Sequence, residues 1–116
     1  MDMLYYIYIG SNRVTIDHLS KITGGMFMAV SSCNKAAKVI DGIRERYNTS
    51  ILYEESTPQK DSQNITFLHK RFPRVYIILI TEGLQKEHRK LYLQAGVNNT
   101  LSPMASEESL LQMVKF

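Results

Sequence analysis

An uninterrupted apolar run, Val75 to Ile80, lies between Phe72-Pro73 and the polar Thr81-Glu82-Gly83. Four of its six residues are β-branched, and no polar residue alternates with them. That pattern predicts a strand covered on both faces, in the middle of a parallel sheet. The run is far too short for a membrane span. A parallel strand needs crossover helices on both sides of it in sequence, and the surrounding pattern supplies them.

Leu4 to Ile9 is apolar and aromatic and reads as a first strand, broken by Gly10-Ser11-Asn12. Ile16, Leu19 and Ile22 recur as a helical stripe, closed by Gly24-Gly25 in the manner of a C-cap. Met26 to Val30 is a second short strand, followed by Ser31-Ser32-Cys33-Asn34 as turn and N-cap. Ala36, Ile40, Ile43 and Tyr47 then mark an amphipathic helix. Ser50 to Tyr53 is a third strand, ending at Glu54-Glu55. Ser56 to Asn64 is polar and reads as a loop. Ile65, Leu68 and Phe72 mark a helix stopped by Pro73. After the central strand, Leu84, His88, Leu91 and Ala95 form a fourth stripe with Gly96 as its C′ residue. Asn98 to Leu101 is a weak last strand. Ser106 caps a final helix carrying Leu110, Leu111 and Val114. Five β-α units in alternation imply a doubly wound, three-layer α/β fold: a five-stranded parallel sheet with helices on both faces. In such sheets the working crevice lies at the carboxyl ends of the strands.

The totals narrow the reading. A chain of 116 residues, 44% hydrophobic, makes one domain with a single core. The net charge of +3 and the scattering of 14 Lys and Arg residues argue for a solvated surface rather than a nucleic-acid face. The lone cysteine, Cys33, excludes an internal disulfide and fits a reducing, cytoplasmic compartment. Cys33 has no catalytic partner nearby in sequence. His18, His69 and His88 are too scattered for a metal site. Gly24-Gly25 follows a helix, so it is no phosphate-cradling loop. Tyr5, Tyr6 and Tyr8 are expected to pack under neighbouring helices. Glu54-Glu55 reads as a solvated loop edge, with a remnant acidic pocket as the alternative, and Thr81 as a turn residue, with a switch hydroxyl as the alternative.

The chain resembles the receiver domain of bacterial response regulators over essentially its whole length. The resemblance rests on the alternation, on Thr81 ending strand four, on Ala95-Gly96 closing a helix and on Pro103 after strand five. It implies a CheY-like, flavodoxin-like sheet in the order 2-1-3-4-5. It also implies phosphoryl transfer to an aspartate at the end of strand three, with Mg²⁺. The positions that would do this chemistry are altered. Gly10-Ser11 stand where the family has an acidic pair. The acceptor position falls on Glu54, judged by its distance from Pro58, or on Glu55. Ser102 replaces the phosphate-contacting lysine, and Asn99 or Thr100 stands at the aromatic switch position. The hydroxyl of Thr81 is what remains. The resemblance is therefore to a degenerate pseudo-receiver, expected to hold no cofactor and no metal and to be no enzyme.

Such a module is expected to act through a protein partner or a homodimer. The face it would use spans helix four, strand five and helix five, here Arg89, Lys90, Tyr92, Met104 and Glu107, with Met113 as a further apolar contact. The same residues also fit plain solvated helix sides. Neither membrane contact nor direct nucleic-acid binding is expected. The span 1–116 is expected to be the N-terminal module of a longer bacterial protein. Two alternatives stand beside this reading: a working receiver using a non-standard acid, and a small-molecule site over the strand ends near Ser11-Asn12 and Ser31-Ser32. A fused enzyme, such as a sugar transferase, stays open.

Overall fold

The computed structural model describes residues 4–24, 26–44 and 48–113. Five strands and five helices alternate: β1 (Tyr5–Ile9), α1 (Arg13–Ile22), β2 (Met26–Val30), α2 (Cys33–Asp41), β3 (Thr49–Glu54), α3 (Pro58–Arg71), β4 (Tyr76–Ile80), α4 (Lys86–Ala95), β5 (Asn99–Leu101) and α5 (Glu107–Met113). The strands form one parallel sheet in the order β2-β1-β3-β4-β5. The expected order and strand direction are both met.

The uniform apolar run in β4 is explained by cover on both sides. Ile77 and Leu79 pack with Ala36, Ala37, Ile40, Ile65, Leu68, Tyr92 and Ala95, from α2, α3 and α4. Ile78 and Ile80 pack with Leu19 of α1 and Leu110 of α5 on the opposite side. β1 divides in the same way, with Ile7 and Ile9 on the first side and Tyr6 and Tyr8 on the second. The expectation that the first-strand tyrosines pack under helices holds for Tyr6 and Tyr8, both buried. β2 is an edge strand and stays open, with Met26 and Met28 exposed.

Caps fix where helices begin. The Asn12 side chain accepts the Thr15 N–H at 3.2 Å, Ser32 that of Lys35 at 3.2 Å, and Ser106 that of Ser109 at 3.1 Å. At the end of α4, Gly96 has φ +126°. A Cβ there would lie 2.7 Å from Cβ and Cγ of His69 on α3, so only glycine lets the two helices approach this closely.

Several boundaries and orientations differ from expectation. The stretch Ser56 to Asn64 is not a loop: α3 starts at Pro58, which occupies the first helical turn, and Asp61 is buried on that turn. The first two turns are polar because their outer face meets water and their inner anchor is a carboxylate. The C-cap of α1 is Thr23, ahead of Gly24. Gly25, Tyr47 and Val114 lie outside the described residues. In α4 the buried positions are Tyr92 and Ala95, while Leu91 is exposed. Helix four is therefore rotated from the expected stripe, because the Tyr92 hydroxyl has a buried partner. Leu111 of α5 is likewise exposed and only Leu110 is buried. Asn98 precedes β5 rather than joining it, and its side-chain oxygen accepts the Ile77 N–H at 2.8 Å.

Candidate functional site

The carboxyl ends of β1, β3 and β4 meet the loop after β5 around a cavity of about 310 Å³ lined by Tyr8, Asn12, Thr15, Glu54, Glu55, Ile80, Thr81, Glu82 and Pro103. Parallel strands with crossovers to opposite faces place their following loops together at this end. Two of the site positions read from the sequence, Glu54 and Thr81, line it, and Gly10 lies against the Glu54 side chain. Ser11 joins them through its backbone.

Glu54 is not the solvated loop edge expected of it. It ends β3, and its side chain crosses to β1. Oε1 accepts the Tyr8 hydroxyl at 2.6 Å and the Asn12 N–H at 2.9 Å, and Oε2 accepts the Ser11 N–H at 3.3 Å. Charge-assisted bonds of this kind are among the stronger hydrogen bonds in proteins. Burial, with the carboxylate beside it, pushes the Tyr8 hydroxyl far above the usual phenol range, so it stays a donor. The crossing uses the space over Gly10, where an added Cβ would lie 2.6 Å from Cβ, Cδ and Oε1 of Glu54. Gly10 and Glu54 are thus one packing solution.

Thr81 is more than a turn residue. Its hydroxyl donates to Glu55 Oε1 at 2.7 Å and accepts the Gly83 N–H at 3.2 Å. Ser102 does not join the cavity wall. It is exposed, and its hydroxyl accepts the Met104 N–H at 3.2 Å, a local turn contact.

The residues present fit Mg²⁺ poorly. The ion prefers near-ideal octahedral oxygen geometry with one or two carboxylates. Position 10 offers no side chain, Glu54 is held by three donors, and Glu55 is held by Thr81. Among the described residues no group of three or more His, Cys, Asp or Glu side chains could hold a metal ion.

The residues read from the sequence as an interaction face differ in exposure. Arg89, Lys90, Met104 and Glu107 are exposed. Tyr92 is not on that face: it is fully buried, and its hydroxyl donates to Asp61 Oδ2 at 2.8 Å. Met113 is half-buried against the α1–α5 side of the core. Leu93, an apolar residue of α4 that sequence reasoning did not single out, is 57% exposed. With Arg89 it walls a groove of about 500 Å³ that reaches Thr81, Asn99 and Thr100. Cys33 lines a separate cavity of about 400 Å³ with Ser31, Ser32, Lys60 and Asn64. Burial, with the charge of Asp61, pushes its thiol up to about 11. His18, His69 and His88 sit on α1, α3 and α4, and His18 Nε2 lies 2.6 Å from the Ala105 carbonyl.

Comparison with known proteins sharpens this picture at the level of fold. No protein-family model matches the chain, and no curated protein does. Solved structures do. A response regulator from Thermotoga maritima superposes with a TM-score of 0.83 at 14% identity, over 98% of this chain and 96% of that one. A CheY-like protein, tadZ, from Pseudomonas aeruginosa PAO1 gives 0.80 at 12%, over 99% and 92%. A putative pilus assembly protein, cpaE, from Burkholderia thailandensis gives 0.68 at 15%, over 98% and 100%. The strand order, the five flanking helices and these superpositions identify the fold of this chain as that of CheY-like receiver domains.

Proposed function

We propose that this chain is a receiver-like regulatory domain that acts through protein contacts and does not depend on phosphorylation. The observation that carries the reading is the commitment of Glu54. Its carboxylate, at the position read from the sequence as the acceptor, has both oxygens bonded, to Tyr8, Ser11 and Asn12. A phosphoryl acceptor needs a free oxygen lone pair aimed at the donor and a cation beside it. Here three of the roughly four lone-pair sites of the carboxylate face the chain's own strand and loop, and Gly10-Ser11 supply no cation ligand of charge. The module then works by presenting a surface, and the exposed side of α4, β5 and α5 with Arg89, Lys90, Leu93, Met104 and Glu107 is that surface. Mixed charge there suits a two-fold homodimer or a protein partner. A bacterial cytoplasmic setting, as one module of a longer protein, completes the proposal. The folds shared with response regulators and a pilus assembly protein support a regulatory rather than an enzymatic role.

Incubation with acetyl phosphate and Mg²⁺, followed by intact-mass measurement, tests it. The expected mass is unchanged. A stoichiometric phosphoryl adduct on Glu54 or Glu55 would overturn the proposal and make the domain a working receiver with a non-standard acid.

A further inference from the structure

Asp61 is a carboxylate only 1% exposed, on the first turn of α3, at the wall of the cavity that Cys33 lines and outside the one that Thr81 lines. Removing a carboxylate from water is strongly unfavourable unless its lone pairs are filled. Here they are filled from three directions. Oδ1 accepts the Tyr53 hydroxyl at 3.0 Å. Oδ2 accepts the Ser56 N–H at 2.7 Å and the Tyr92 hydroxyl at 2.8 Å. Tyr53 in turn accepts from Asn64 Nδ2 at 2.9 Å. One buried oxygen pair thus joins β3, the entry to α3, and α4.

The link matters most to α4. The first six residues of that helix, Lys86 to Leu91, contribute no buried side chain, and its buried residues are Tyr92 and Ala95. An apolar ring alone can slide or rotate on an apolar floor, whereas a hydroxyl bonded to a fixed carboxylate cannot without losing a buried bond. The strand-end hydroxyl of Thr81 donates to Glu55 and accepts from Gly83, so it ties the loop before α4 and not the helix itself.

We infer that Asp61 is the positioning residue of α4: through the Tyr92 hydroxyl it holds the helix in one seating and so fixes how Arg89, Lys90 and Leu93 are presented. The seating stands on geometry alone; only its consequence for a partner rests on the proposed interaction role. A partner that requires a different seating must break the Tyr92–Asp61 bond. By reciprocity, weakening that bond must change the affinity for such a partner.

Amide hydrogen exchange on the whole chain tests the seating without any partner. Tyr92→Phe keeps the ring and removes only the hydroxyl. It is expected to raise exchange of the amides of residues 89–95, those hydrogen-bonded within the helix, at least tenfold, with those of 13–22 unchanged. Tyr8→Phe, which removes the other tyrosine–carboxylate bond, is the matched control and is expected to leave residues 86–95 unchanged. Asp61→Asn should reproduce the effect on α4, and the double variant Asp61→Asn, Tyr92→Phe should add little to it, because both delete one interaction. Should Asp61→Asn fail to fold, the Tyr92→Phe and Tyr8→Phe pair still decides. Equal acceleration in every helix, no acceleration in α4, or the same acceleration from Tyr8→Phe would overturn the inference. A phosphoryl adduct in the earlier assay would overturn the functional reading and leave this result unaffected.

Discussion

Gly10→Ala is the substitution that most directly probes the strand-end site. A methyl group at position 10 would lie 2.6 Å from Cβ, Cδ and Oε1 of Glu54. The side-chain end can swing away, but Cβ is fixed by the β3 backbone, so backbone must move. Overpacking of this kind costs about 1–3 kcal/mol. Displacing the carboxylate also loosens its bonds to Tyr8, Ser11 and Asn12, and each net hydrogen bond is worth about 1 kcal/mol. A loss of roughly 2–4 kcal/mol is expected, which for a domain of this size lowers Tm by about 8–16 °C. Gly24→Ala is the internal control, since a Cβ there meets nothing within 4 Å. It should stay within about 0.5 kcal/mol of the parent. Urea unfolding followed by circular dichroism measures both. Equal stabilities for the two variants would refute the claim that Gly10 and Glu54 are one packing solution. Gly10→Asp meets the same obstacle, so an acid introduced at that position alone should not create a cation site.

Two further outcomes follow from the exposed face and the half-buried thiol of Cys33. Any self-association seen by sedimentation should weaken in Arg89→Glu and Leu93→Ala, both exposed, with the fold retained; a strict monomer at high concentration would move the search to a protein partner. Cys33, its thiol pushed up to about 11, should react with iodoacetamide at pH 8 at least about tenfold more slowly than a free cysteine of pKa about 8.5. Because the folded state holds that proton more tightly, this group's stabilising contribution is full below about pH 8.5 and falls as pH rises towards 11. Alkylation as fast as that of the unfolded chain would show the thiol to be far less buried than described.

The sheet was legible because its strands announce themselves locally. Val75 to Ile80 reads as doubly covered, and it is, with alternate residues given to opposite sides of the core. What was not legible depends on pairs distant in sequence. Glu54 looked like a loop edge because nothing near it shows that Tyr8 and Asn12 would supply donors from 46 and 42 residues away. The first turns of α3 looked like a loop because a buried carboxylate and a solvated one are the same letter. A signal was present in Thr57-Pro58 followed by Asp61, a helix-start pattern of proline in the first turn with an acid close behind. Tyr92 was assigned to the surface because α4 has few apolar residues, which leaves its rotation undetermined until Asp61 is placed beneath it.

The position of β1 in the sheet has a consequence for how the chain reaches this structure. β1 lies between β2 and β3, with Tyr5 opposite both Met26 and Thr49. As the chain emerges from the ribosome, the first strand can gain one neighbour early but waits for residue 54 before its second edge is covered. Until then the tyrosines of β1 have only part of their final floor. Parallel pairing across such separations makes folding comparatively slow, because loop closure precedes the contacts that reward it. The interval is spent with an unpaired apolar edge, the condition under which strands find wrong partners. The rate-determining event for this domain is therefore expected to be the docking of β3 against β1, and substitutions at Ile51 or Leu52 should slow folding more than equally destabilising ones in α5.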